Sequence, residues 1–193
     1  MLKDSLKFLV SICKSFISKT KPSGLFDIVV YGSSMKGKNN PTDTDIILLF
    51  KEIDLNKRLE IAQNFKNLIK TEIKNPDVKT INLSEFFEVS FLARQGILIE
   101  GHSLVHDSSL SERLGFKGYS LFSYNLKNLN HNDKTKFTYS LIGRSSEGIL
   151  KLTGAVVLGK GSFIIPIKNS IIFEDFLEKW KISYTKKNIL VSE

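Results

Sequence analysis

Two aspartates that lie two positions apart are the residues of this 193-residue chain best suited to chemistry. Asp43 and Asp45 enter the apolar run 46–50, which is typical of a buried strand. In a strand, residues i and i+2 project from one face, about 6 to 7 Å apart, so both carboxylates point the same way. Such a pair can bind two magnesium ions, which promote displacement at a phosphoryl group. Asp45 directly precedes five apolar residues, a costly place for an unpaired carboxylate.

A glycine–serine pair precedes these aspartates at the end of a second apolar run, 26–31. We expect this strand to deliver Gly32 and Ser33 to the start of a short helix. Backbone N–H groups at a helix start can bind phosphate, and glycine allows phosphate to approach the backbone closely. The alternative interpretation is purely structural, with Asp43 capping a turn and Asp45 exposed at the start of a strand.

The segment 32–38 also fits the spacing of the common phosphate-binding loop, with Gly37 and Lys38 in the last two positions. That loop requires Ser or Thr after the lysine and a helix that continues from it. Here Asn39 follows the lysine, and Pro41 interrupts any helix. The spacing therefore gives little support to this loop.

Hydrophobic periodicity predicts the elements that position these residues. The first 19 residues fit an amphipathic helix, and the polar stretch 106–118 fits a boundary between a domain of residues 1–112 and one of residues 113–193. We expect the following further elements: strands at 26–31, 46–50, 78–83, 162–167 and 182–191, and helices at 55–73, 85–93, 133–142, 147–152 and 171–180.

Composition and charge narrow the class of protein. No run approaches the roughly 18 apolar residues of a membrane span. Cys13 is the only cysteine, which excludes an intrachain disulfide and fits a cytoplasmic protein. Residues 116–193 contain 12 Lys and Arg against 6 Asp and Glu, and so carry +6 of the net charge of +8. Such an excess attracts nucleic acid, although lysine is also a common solubilising residue.

The segment Tyr-Gly-Ser-Ser-Met-Lys-Gly at 31–37, followed by Pro-Thr-Asp-Thr-Asp-Ile-Ile-Leu-Leu at 41–49, resembles the motif of the nucleotidyltransferase superfamily related to DNA polymerase beta. The resemblance is greatest to the minimal nucleotidyltransferases and covers residues 25–106. It implies an α/β (α+β) fold, with a mixed sheet flanked by helices, and leaves residues 113–193 as a small basic α+β domain. It also implies that Asp43 and Asp45 bind metal, that Gly32 and Ser33 hold the triphosphate, and that Lys36 contacts phosphate.

One position departs from this motif. Members of the superfamily usually supply a third carboxylate from the strand after the long helix, as a metal ligand or a general base, and Lys79 stands at that position here. Asp77 lies two residues earlier, on the same face if the strand begins that soon. Asp77 is therefore the candidate third catalytic carboxylate. If neither Asp77 nor another acid reached the site, Lys79 would pair with Asp43 or Asp45, and the protein would bind nucleotide weakly or serve as an inactive scaffold.

Three functions are consistent with these features. The first is transfer of a nucleoside monophosphate from a nucleoside triphosphate such as ATP to a hydroxyl of nucleic acid or protein, with two Mg²⁺ ions. The second is a nucleic-acid-binding module whose catalytic core has lapsed, which Lys79 and the basic C-terminal half favour. The third is implied by the resemblance alone, because some minimal nucleotidyltransferases are antitoxins that bind a helical partner protein.

Overall fold

The computed structural model describes residues 3–36, 42–144 and 146–192. The chain divides into two compact units, Met1–Gly115 and Phe116–Glu193, where the predicted boundary followed residue 112. In the first unit the elements are α1 (Lys3–Thr20), β1 (Leu25–Tyr31), a 3-10 helix (Gly32–Met35), β2 (Thr44–Phe50), α2 (Leu55–Ile69), β3 (Pro76–Asn82), α3 (Leu83–Phe86), α4 (Arg94–Glu100), β4 (His102–Ser103), β5 (Ser108–Ser109) and α5 (Leu110–Arg113).

The strands of the first unit form one five-stranded sheet in the order β3-β2-β1-β4-β5. β2 and β3 run parallel, whereas β1 pairs antiparallel with both β2 and β4. A parallel pair needs a crossover connection, and α2 supplies it between β2 and β3. The predicted mixed sheet flanked by helices is confirmed.

Helices pack against both faces of this sheet. On one face Ile46, Leu48 and Phe50 pack in an apolar cluster that includes residues of α1 and α2. On the other face Ile47 and Leu49 pack in a cluster that includes residues of α3, α4 and α5. Because both faces are covered, β2 is apolar at nearly every position, which is why its period-2 pattern is weak. Asp45 shares the side of the strand that carries Ile47 and Leu49.

The expected helix over 85–93 is wrong, and the expected helix over 55–73 ends at Ile69. The chain instead forms the short helices α3 and α4, separated by turns in which Phe87, Val89 and Leu92 are exposed. The end of α3 is stabilised by Arg94, whose Nη1 donates to the carbonyl oxygens of Phe87 at 2.6 Å and Glu88 at 3.2 Å. Carbonyl groups at the end of a helix need hydrogen-bond donors. Here the donor is Arg94, the residue that follows the segment predicted as helix.

An arginine–glutamate pair joins α2 to the start of α3. Arg58, which is buried, donates to both carboxylate oxygens of Glu85, and the N–H of Asn82 donates to the same carboxylate at 3.0 Å. These donors, chiefly the Arg58 guanidinium, lower the pKa of Glu85 from 4.5 to about 2. The folded state therefore favours the ionised form of Glu85 more than the unfolded state does.

Glu85→Gln is expected to lower the melting temperature at neutral pH by roughly 2–4 °C, because solvent screening at a partly exposed carboxylate limits the loss to about 1 kcal/mol. A depressed pKa stabilises the fold above the unfolded value of 4.5, and this contribution disappears as pH falls towards about 2. The difference between wild type and variant should therefore shrink on acidification, measured by thermal unfolding at several pH values. Glu72→Gln, an exposed site, is the control. A difference that stays constant with pH would contradict this account.

The second unit has the elements β6 (Phe116–Tyr124), α6 (His131–Ile142), α7 (Ile149–Thr153), β7 (Val156–Gly159), β8 (Ser162–Pro166), a 3-10 helix (Ile167–Asn169), α8 (Ser170–Lys179) and β9 (Tyr184–Ser192). Its four strands are antiparallel in the order β7-β8-β6-β9. This order, with helices between the first and second strands and between the third and fourth, is the split β-α-β arrangement. β6 and β7 were not predicted from the sequence.

Aromatic side chains build the core of the second unit. Phe122 and Tyr124 of β6 pack with Phe137 and Phe173 from the helices and with Phe163 from β8. Helices cover this face of the sheet, so Phe122 and Tyr124 do not form a base-stacking surface. Within the described residues, none of the helices has the length and apolar character needed to cross a lipid bilayer.

Candidate active site

Asp45 lies between two polar residues at one end of the first sheet. Its partner in β1 is Tyr31, and its partner in the parallel strand β3 is Asp77. Directly opposed residues in neighbouring strands project from the same face of the sheet. β3 begins at Pro76, so Asp77 lies within the strand and on the same face as Lys79, as expected if the strand began that early. The structure therefore places Asp77 beside Asp45.

The backbone of Gly32 lies close to the Asp45 carboxylate. Gly32 begins the 3-10 helix with a φ of +81°, a conformation that glycine adopts readily and other residues rarely. A Cβ atom added to Gly32 would lie 2.5 Å from Oδ2 of Asp45. Glycine is thus required here both by the turn and by the closeness of the carboxylate. Ser33 follows in the same helix, and the Ser34 hydroxyl donates to the carbonyl of Tyr31 at 3.2 Å.

Asp43 lies just before β2, which begins at Thr44, and its side chain is exposed. The prediction that Asp43 is part of the strand is wrong, because the pairing of β2 with β3 begins at Thr44, so strand geometry does not align Asp43 with Asp45. Asp43 Oδ1 accepts a hydrogen bond from the Thr42 hydroxyl at 3.2 Å, and Asn75 Nδ2 donates to the Thr42 carbonyl at 3.1 Å. An open cavity of about 710 Å³ is bordered by both Asp43 and Asp77, and by Lys66 of α2.

Lys79 forms an ion pair with the candidate third carboxylate. Its Nζ lies 3.0 Å from Oδ2 of Asp77, two residues earlier on the same strand, and both side chains are about half exposed. Lys79 is paired in register with Ile47, which lies two residues after Asp45 in β2. The lysine that replaces the expected acid therefore neutralises the neighbouring acid.

The electrostatics of the site reflect three acidic side chains near one lysine. Burial raises the pKa of Asp45, and the nearby charges of Asp43 and Asp77 raise it further, whereas Lys79 opposes the shift. Burial, together with Asp45 and Asp77, likewise raises the pKa of the Tyr31 phenol. Like charges this close destabilise one another, and a bound cation would relieve the repulsion.

The donor set fits magnesium only with help from a ligand. Among residues 3–36, 42–144 and 146–192, no three His, Cys, Asp or Glu side chains form a group that could hold a metal ion. Magnesium is commonly bound by one or two carboxylates, with phosphate oxygens of the substrate and water completing the shell. Asp43 and Asp45 are carboxylate donors of that kind, and the repulsion on Asp45 favours a cation beside it.

No family model and no curated protein matches this chain. Solved structures with a similar chain path do exist. A Shewanella oneidensis complex of a tri-AMPylated HEPN toxin with its MNT antitoxin matches at 19% identity and a TM-score of 0.35, over 59% of this chain and 79% of the other. A toxin–antitoxin complex with AMP-PNP matches at 20% identity and a TM-score of 0.38, over 54% of this chain and 78% of the other.

A third match is a chain from Sulfolobus solfataricus that is assigned as a nucleotidyltransferase, at 18% identity and a TM-score of 0.33, over 52% of this chain and 82% of the other. At this level of similarity, the functional assignment depends on the geometry of this chain's own side chains.

Lys36 is held at the same end of the first unit by a buried carboxylate. Its Nζ lies 2.8 Å from Oε1 of Glu100, at the end of α4, and the Glu100 side chain is only 5% exposed. This ion pair was not apparent from the sequence, because the partners lie 64 positions apart. The remaining motif positions, Gly37 and Lys38, lie outside the described residues.

A buried carboxylate in β1, that of Asp27, was missed by the sequence analysis. Asp27 is fully buried, and it accepts hydrogen bonds from the Ser103 hydroxyl, the Ile28 N–H and Arg113 Nη1, each at 2.8 Å. Burial raises the pKa of Asp27, while Ser103, Ile28 and Arg113 oppose the shift. An aspartate inside an apolar strand was the available signal, because such a residue requires partners. Its bonds link β1 to β4 and α5, so its role is structural.

Proposed function

We propose that this chain transfers a nucleoside monophosphate from a nucleoside triphosphate to a hydroxyl acceptor. The observation that carries the proposal is the placement of the Asp45 carboxylate against the backbone of Gly32, with Asp77 opposite it in register and Asp43 two residues before it. A turn that can accept phosphate thus lies directly beside the Asp45 carboxylate, which can hold the phosphate's cation.

Each residue of the site has a distinct role in this proposal. Asp43 and Asp45 hold magnesium, which neutralises charge on the triphosphate and polarises the phosphorus when it is bound. Gly32 and Ser33 offer backbone N–H groups to triphosphate oxygens, and only glycine allows that approach beside Asp45. Lys36 contacts a phosphate oxygen from a position fixed by Glu100.

The chemical step is a displacement at the α-phosphorus. The acceptor hydroxyl oxygen forms a bond to the α-phosphorus, the bond to the bridging oxygen of the β-phosphate breaks, and pyrophosphate leaves with that electron pair. Asp77 takes the proton of the acceptor hydroxyl. Lys79 bonds Oδ2 of Asp77, so Oδ1 is the oxygen that receives this proton.

The direct test is pyrophosphate release by the full chain from each of the four nucleoside triphosphates. RNA, DNA and protein acceptors are supplied in turn, with magnesium present or removed by a chelator. We expect magnesium-dependent release that requires one class of acceptor. Equal release with and without the protein, for every triphosphate and acceptor, would contradict the proposal.

A specific surface of the second unit favours nucleic acid as the acceptor. The helices of this unit cover the sheet face that carries Phe122, and the opposite face carries Tyr119 of β6 and Lys187 of β9. Lys187 is exposed, and Tyr119 is half-buried. Four-stranded sheets of this arrangement bind single-stranded RNA by stacking bases on an aromatic side chain, with cations that contact phosphate. We propose that single-stranded nucleic acid binds on this face.

Lys187→Glu is expected to weaken binding of a single-stranded oligonucleotide and to reduce the slope of log affinity against log salt by about one. Fluorescence anisotropy over a series of salt concentrations measures both quantities. Lys179→Glu makes the same charge change on α8, which packs on the other face of the sheet, and is the control. If the two variants lose affinity equally, binding depends on net charge and this face is not the site.

A further inference from the structure

Lys79 occupies a place in the site that the proposed mechanism leaves unexplained. Its ammonium lies 3.0 Å from Asp77, and Asp77 is the register partner of Asp45. The side chain is 58% exposed, so it is not held there by packing. An isolated ion pair at such exposure contributes little to stability. The position of the ammonium is therefore explained by the acidic site around it rather than by the fold.

The charge of the site indicates what the ammonium replaces. Asp43, Asp45 and Asp77 together carry three negative charges when ionised, which one divalent cation and one ammonium balance. The Lys79 ammonium thus supplies, at these three side chains, positive charge that a second divalent cation would otherwise bring. Asp77 and Tyr31 also raise the pKa of Lys79, so the side chain remains an ammonium.

The arrangement of the metal ligands also indicates one divalent cation rather than two. In the described part of the chain no three acidic side chains converge as a metal group, and the acid that would complete such a group is engaged by Lys79. Sites that bind two cations use carboxylates to bridge ions about 3.5–4 Å apart. A carboxylate that is bonded to an ammonium cannot bridge two ions with the same oxygen.

We propose that the Lys79 ammonium stands in for the second divalent cation, so that the chain–triphosphate complex holds one divalent ion where the sequence motif implied two. This inference rests on the proposed function, since it concerns the cation content of the same site. Lys79 is then a positioning residue that acts through Asp77 and keeps its Oδ2 from metal.

The test counts Mn²⁺ ions bound per chain by electron paramagnetic resonance, with the full chain saturated by a nonhydrolysable triphosphate. We expect one Mn²⁺ for wild type, two for Lys79→Met, and one for Lys79→Arg, which restores the positive charge. Lys74→Met removes an exposed lysine just before β3 and should leave the count at one. Thermal unfolding confirms that each variant is folded.

Two Mn²⁺ ions on wild type, or one on Lys79→Met, would overturn the inference. Neither result would affect the proposed function, which fails separately if wild type releases no pyrophosphate with any triphosphate and acceptor. A wild type that binds the triphosphate with no Mn²⁺ at all would overturn both.

Discussion

Asp45→Asn is expected to reduce pyrophosphate release by at least about 100-fold. The substitution removes the negative charge of a proposed magnesium ligand, and magnesium would stabilise charge in the transition state. Asn has the same shape as Asp, so the contact with Gly32 is kept and only the negative charge is lost. Rates for wild type and variant, at saturating triphosphate and magnesium, measure the effect. A variant that keeps more than about a tenth of the wild-type rate would remove Asp45 from the site as proposed.

The same variant should be no less stable than wild type at neutral pH. Burial and the charges of Asp43 and Asp77 raise the pKa of Asp45, which means that the fold disfavours the ionised form. This penalty is complete above the raised pKa and disappears as pH falls towards the unfolded value of 3.8. Any stability advantage of Asp45→Asn should therefore shrink on acidification. A marked loss of stability at neutral pH would mean that the lost activity reflects unfolding.

Gly32→Ala is expected to cause the second-largest effect, a loss of activity of roughly 100-fold. The added methyl group displaces Asp45, and a shift of about 1 Å in an active-site group can cost that much. The new methyl group would lie 2.5 Å from Oδ2 of Asp45 and must push the carboxylate away. Alanine at a φ of +81° also costs about 1–2 kcal/mol of backbone strain. Pyrophosphate release and thermal unfolding report the two effects separately.

Gly115→Ala is the matched control for this substitution. Gly115 has a φ of +79°, nearly that of Gly32, but a Cβ there would meet no atom within 4 Å. The two variants should share the backbone cost in melting temperature, whereas only Gly32→Ala should lose activity. Equal losses of activity would show that the closeness of Gly32 to Asp45 is not important for function.

Local sequence patterns were sufficient to predict the two strands that bring Gly32 and Asp45 together in the candidate site. The apolar runs 26–31 and 46–50 correspond to β1 and β2, and glycine after one run with aspartate before the other predicted where the two strands present polar groups. The role of Asp77 depended on where β3 begins. Pro76 starts that strand, and the apolar pattern that begins at Val78 could not reveal this, because a proline and an aspartate are unusual in strands.

Contacts between distant residues could not be predicted from one sequence. The partners Lys36 and Glu100, like Asp27 and Arg113, are brought together only by the folded sheet and its helices. β6 was missed for a different reason. Gly118 and Ser120 are typical of turns, so the period-2 pattern of this strand is marked mainly by its aromatic residues.

The most direct test of the central claim is a titration of the full chain with a nonhydrolysable nucleoside triphosphate, with magnesium present and with magnesium removed. The placement of Asp45 beside Gly32, with Asp43 two residues before it, predicts that wild type binds at least about tenfold more tightly with magnesium. Asp43→Asn and Asp45→Asn should each lose most of that gain. Equal affinity with and without magnesium, in wild type and both variants, would contradict the assignment of these carboxylates as the metal–triphosphate site.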